Sequence, residues 1–182
     1  TKRLRFLVEK VLQMSLFERQ KATLKLKELD ANDLIISVAN TFALKVEKYG
    51  GTLDLYLDAL DSTIYVDEMH ITNVLFNLMD NAVKYRRQDV PLALLVRTWN
   101  ENGKLHISVE DNGIGIKKEY LKKVFDRFFR VPTGNKHDVK GFGLGLAYVR
   151  KIIEDHKGSI RAEQGNNNIG TKFIITLPLI KS

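Results

Sequence analysis

Asn77 and Asn81 set two carboxamides one helical turn apart, and Lys84 follows three residues later. At 100° per residue the three side chains fall within about 60° of one another on a helix. Ile71, Val74, Leu75, Leu78 and Ala82 form the neighbouring apolar stripe, so the polar trio lies at the edge of a core. A carboxamide oxygen is a neutral hard ligand, suited to a Mg²⁺ that already carries phosphate oxygens and water. A lysine adds a point charge for a phosphate. Taken alone, the Asn pair equally suits two side chains that only bond nearby backbone.

Two glycine-punctuated turns extend this chemistry. Asp111-x-Gly113-x-Gly115 directly follows an alternating segment. A carboxylate there can accept a hydrogen bond from an exocyclic amine, while the glycines let a flat ring approach the backbone. Gly141-Phe142-Gly143-Leu144-Gly145-Leu146 leads into a helical pattern. The free amides and positive dipole end of a helix start favour anions. No strand immediately precedes this triplet, so it is no dinucleotide fingerprint, and no Gly-Lys-Ser/Thr follows to make a Walker loop.

The elements that must position these groups alternate in type. Leu4, Leu7, Val11 and Met14 give a two-heptad seam in a helix over residues 1–20, too short to stand alone. Residues 24–29 read as a strand, and Asp30 or Asn32 caps a helix that ends at Gly50-Gly51. Strands follow at 53–57 and 64–66, then Asp67 caps a long helix running to about Tyr85. Strands 92–99 and 105–110 flank the hairpin signal Asn102-Gly103. A short helix is expected over 117–124, a mobile loop over 126–141, and a helix from Leu144 to His156. Strands 159–164 and 171–177 close the chain around an Asn-rich turn. This order predicts an α/β (α+β) two-layer sandwich, with a mixed sheet covered on one face by helices.

With 182 residues, the chain has room for one well-packed domain and an appendage. The absence of cysteine excludes disulfides, thiolate zinc sites and cysteine nucleophiles. No secretory signal or membrane-spanning run is visible, and the missing initial Met suggests a fragment. The net charge of +7 resides between Lys117 and Lys151, where ten Lys or Arg face three Asp or Glu. Nucleic-acid binders usually show a broad basic face with interleaved aromatics. Charge gathered around a glycine-rich turn better suits a polyphosphate or an acidic protein partner.

In combination and order, these motifs resemble the ATP-binding catalytic domain of sensor histidine kinases. That superfamily is shared with DNA gyrase, a heat-shock chaperone and a mismatch-repair ATPase, and its fold is the Bergerat type. Residues 77–85 look like the family's N box, 111–116 its first glycine box, 125–128 its F box, and 141–146 its second glycine box. Gly170-Thr171 is a looser match to a third glycine box, and the resemblance covers residues 24–180.

The resemblance implies a mostly antiparallel sheet under three helices and a catalytic set of Asn77, Asn81 and Lys84, with Asn81 on Mg²⁺. It further implies that Tyr85 packs near the base, that Asp111 binds the adenine amine, and that Gly113, Gly115 and Ile116 shape the base pocket. ATP phosphates would lie against Gly141, Phe142, Gly143, Leu144, Gly145 and Leu146, with Arg127, Arg130 and Lys140 as further contacts and Thr171 supporting adenine. Residues 126–141 would be the ATP lid, 1–22 the end of the second dimerisation helix, and 23–182 the catalytic domain.

The implied cofactors are ATP and Mg²⁺. The implied partners are the parent's own phosphoacceptor hairpin, in a homodimer, and a response regulator, with no nucleic acid. Placement in the cytoplasm below an inner-membrane sensor follows, with the membrane reached only through segments outside this sequence. None of His70, His106, His137 and His156 stands in the context of a phosphoacceptor. A gyrase-type ATPase clamp would carry Glu where Asn77 stands. A nucleotide-binding pseudokinase is the other alternative.

Overall fold

The computed structural model describes residues 23–129 and 145–180. The expected helix over residues 1–20 and most of the expected lid lie outside the described residues.

Strand β1 (Leu26–Asp30) leads straight into helix α1 (Ala31–Lys48). Of the two expected caps, Asp30 takes the role: its Oδ1 accepts from the Asp33 amide at 3.0 Å, and its Oδ2 from the Ser62 hydroxyl at 2.8 Å. Asn32 instead ties α1 to the sheet, donating to Ala59 O at 3.1 Å and accepting from the Thr98 hydroxyl at 2.8 Å.

Strands β2 (Thr52–Leu57) and β3 (Thr63–Asp67) follow, then helix α2 (Glu68–Lys84). As expected, Asp67 caps α2 by accepting from the His70 amide at 3.1 Å. Strands β4 (Ala93–Glu101) and β5 (Lys104–Asp111) form a hairpin whose turn residues, Asn102 and Gly103, both take positive φ. Helix α3 (Gly145–Asp155), β6 (Ser159–Gln164) and β7 (Thr171–Pro178) complete the fold.

The main sheet has the order β2-β4-β5-β7-β6, with only β2 and β4 parallel. One face carries the core, where Leu94, Val96, Ile107, Val109, Phe173 and Ile175 meet buried residues of all three helices. That is the two-layer sandwich the element order predicts. β1 and β3, however, pair only with each other, as a separate two-stranded antiparallel sheet.

The helix expected over 117–124 is instead two 3₁₀ turns, at Lys118–Tyr120 and Lys123–Phe125. Neither turn has a side-chain cap, and Lys118 and Lys122 would repel each other one turn apart on an α-helix. Among the described residues no helix is long and apolar enough to cross a membrane.

Candidate functional site

β5 ends at Asp111, which is only 9% exposed. Its Oδ1 accepts from the Gly113 amide at 2.9 Å and from the Thr171 amide at 3.3 Å. Burial pushes the carboxyl up to about 6, with a smaller push from neighbouring Glu110, against the pull of those two amides. Among the described residues no donor reaches Oδ2. Above pH 6 the arrangement therefore offers an oriented anionic acceptor in a nearly dry place.

The loop after Asp111 is fastened to the end of α2. The Ile114 amide donates to Tyr85 O at 2.9 Å, and Arg87 Nε donates to Asn112 O at 2.8 Å. Asn112 also pins the start of β4, accepting from the Ala93 amide at 2.8 Å and donating to Pro91 O at 3.0 Å. Gly113 passes so close to α2 that a Cβ there would lie 2.4 Å from Tyr85 O. Gly115 approaches Gly170, whose carbonyl oxygen would be 3.3 Å from a Cβ at Gly115. Half-buried Ile116 packs against the core, and half-buried Tyr85 caps α2.

Asn77 and Asn81 are both half-buried on α2. Asn77 Nδ2 donates to Asn73 O at 2.8 Å, which turns its oxygen toward α3. A Cβ on Gly145 would lie 3.4 Å from that oxygen. Lys84 is exposed and sits 3.6 Å from Asp80, which also pairs with Lys45 at 2.6 Å. Exposed pairs of this kind contribute about 0–1 kcal/mol, so Lys84 can exchange Asp80 for a phosphate.

Thr171 is buried beside Asp111, and Gly145 and half-buried Leu146 open α3. Phe125 is buried edge-on against Phe173 at 6.1 Å. Arg127 lies exposed, 5.7 Å from the ring of Phe128. Arg130, Lys140, Gly141, Phe142, Gly143 and Leu144 lie outside the described residues. Sequence reasoning missed Asn112, although an Asn between an Asp and a Gly after a strand signals a side chain bonded to local backbone.

A buried acceptor at a strand end, held beside a helix that presents two carboxamides, is an arrangement able to accept a hydrogen bond from a flat polar ring and to offer neutral oxygen ligands next to it. Residues 66–181 match the family described as "Histidine kinase-, DNA gyrase B-, and HSP90-like ATPase". The catalytic domain of histidine kinase ThkA is 31% identical, with a TM-score of 0.73, over 86% of this chain and 99% of that one. The chain thus belongs to this ATPase family, as an ATP-binding catalytic domain of the histidine kinase type.

"Sensor protein RprX" of Bacteroides fragilis (strain YCH46) is 72% identical over 100% of this chain and 35% of its own length. The chain therefore spans about a third of that relative. ThkA solved in complex with the response regulator protein TrrA is 27% identical, with a TM-score of 0.78, over 98% of this chain and 48% of that one.

Proposed function

We propose that this chain binds Mg-ATP and presents the γ-phosphate to a histidine on the dimerisation hairpin of its parent sensor kinase. The phosphoryl group then passes to an aspartate of a response regulator. The observation that carries this reading is Asp111: buried, fixed at Oδ1 by two amides, and beside the helix that presents Asn77 and Asn81. The solved pairing of ThkA with TrrA supports the response regulator as the partner.

Asp111 accepts the adenine amine, and Gly113, Gly115 and Ile116 form the wall against the base. Among the described residues no cluster of three or more His, Asp or Glu could hold a metal ion. Amide oxygens suit a Mg²⁺ that is mostly ligated by phosphate and water. Asn81 would hold it, with Asn77 beside it, and the ion would neutralise charge on the phosphates. Asn77 cannot take a proton from water as a carboxylate could, which favours transfer to a histidine over hydrolysis.

The test is to incubate the full-length parent with γ-labelled ATP and assay acid-labile phosphohistidine. Asn81→Ala is expected to reduce labelling by roughly 10²-fold, the scale of losing one electrostatic stabiliser of the transferring group. Equal labelling of the variant and the wild type would remove Asn81 from this role. Label that never appears on histidine, with ATP bound, would overturn the kinase reading.

A further inference from the structure

The seam between α2 and the start of α3 is polar on one side. The Tyr148 hydroxyl lies 2.9 Å from His70 Nδ1 and shares a hydrogen bond with the Asn73 side chain. Asn73 O then accepts from Asn77, whose oxygen faces Gly145. Positions 70, 73 and 77 thus run down one edge of α2 against 148 and 145 on the first turn of α3.

His70 is itself anchored, because its amide donates to the α2 cap at Asp67. The far end of α3 has a separate anchor. His156 Nδ1 donates to Ile152 O at 2.7 Å, and its Nε2 accepts from the Asp67 amide at 3.0 Å. Between these ends the contact with α2 is apolar, through Val149, Ile152 and Ile153. Packing alone would accept Phe at 148, so the hydroxyl is not needed for the core. Its hydrogen bonds instead tie the first turn of α3 to one edge of α2.

We propose that Tyr148 is a positioning residue for the phosphate end of the site, its hydroxyl fixing the first turn of α3 against α2 through His70 and Asn73. The inference rests on the nucleotide reading above and deepens it. The base contact at Asp111 lies on β5 and β7, which this clasp does not touch. Loss of the clasp should therefore weaken the grip on phosphates and spare the grip on the base.

Tyr148→Phe deletes only the hydroxyl, and His156 still holds the far end of α3. By NMR titration of the full chain, ATP should bind about fivefold more weakly, the scale of one neutral hydrogen bond, and adenosine as in wild type. His70→Ala should repeat the effect, and the double variant should lose less than the product of the two. ATP and adenosine weakened by one common factor, or neither weakened, would overturn the inference. A wild-type chain that takes up neither ligand would sink the nucleotide reading, and this inference with it.

Discussion

Asp111→Asn is expected to weaken ATP binding by about tenfold to a hundredfold, while the variant folds at least as stably as wild type at neutral pH. A hydrogen bond to a charged acceptor contributes about 1.5–3 kcal/mol, and 1.4 kcal/mol is tenfold in affinity. In the variant the amide oxygen can still serve the Gly113 and Thr171 amides, so the NH₂ group replaces Oδ2. A donor would then face the adenine amine, itself a donor. Guanine presents an acceptor there, so discrimination against GTP should shrink.

The stability argument runs the other way. Burial raises Asp111 from an ordinary 3.8 to about 6, so ionisation costs the fold roughly 3 kcal/mol at neutral pH. Between about pH 4 and 6 the native chain holds a proton that the unfolded chain has released. Wild-type stability should therefore fall as pH rises through that window and level off above it. Asp111→Asn should lack this fall.

Nucleotide affinity has the opposite slope, since the acceptor must be ionised. Below pH 6 wild type should lose about tenfold in ATP affinity per pH unit relative to the variant, which lacks this carboxyl. Calorimetric titrations from pH 5 to 8 would check this. Parallel pH profiles for the two proteins would remove Asp111 from the base contact.

The placement of the candidate site groups within their own elements was legible because each group is local in sequence. Asn77, Asn81 and Lys84 share a helix edge by periodicity, and Asp111 and Gly113 share one turn. Their mutual placement was not local. The Arg87–Asn112 bond spans 25 residues and the Ile114–Tyr85 bond 29 (114 − 85), both joining the end of α2 to the loop after β5, and periodicity within an element carries no such information.

The same limit hid the separate pairing of β1 with β3, since alternation marks a strand without naming its neighbour. Tyr148 was invisible as a polar contact because it falls within an apolar helical pattern. Its partner His70 lies 78 residues away. The 117–124 segment, expected as one short helix, forms two 3₁₀ turns instead, and neither has a side-chain cap.

Gly170→Ala should be the most destabilising single-methyl change near the site. Gly170 has φ +72, and a Cβ there would lie 1.8 Å from Asp111 O, a backbone atom that cannot swing aside. Gly50 has nearly the same φ, +68, with nothing within 4 Å of its Cβ position. The pair separates conformational strain from collision. Gly50→Ala should cost about 1–2 kcal/mol, the left-handed penalty alone. Gly170→Ala should cost about 3 kcal/mol or more, since β5 and β7 must part for the methyl to fit.

On the scale of a 150–250-residue protein, where 1 kcal/mol shifts Tm by about 2–4 °C, that difference is readily measured. The site should suffer with the fold, because the next residue, Thr171, supplies an amide to Asp111 Oδ1. Parting the strands would release the carboxylate from the geometry that aims Oδ2. Gly170→Ala should therefore lose ATP binding even below its melting temperature, whereas Gly50→Ala should bind ATP as wild type does. Equal melting temperatures for the two variants would show that β7 can shift freely at its start, and that Gly170 does not hold the adenine side in place.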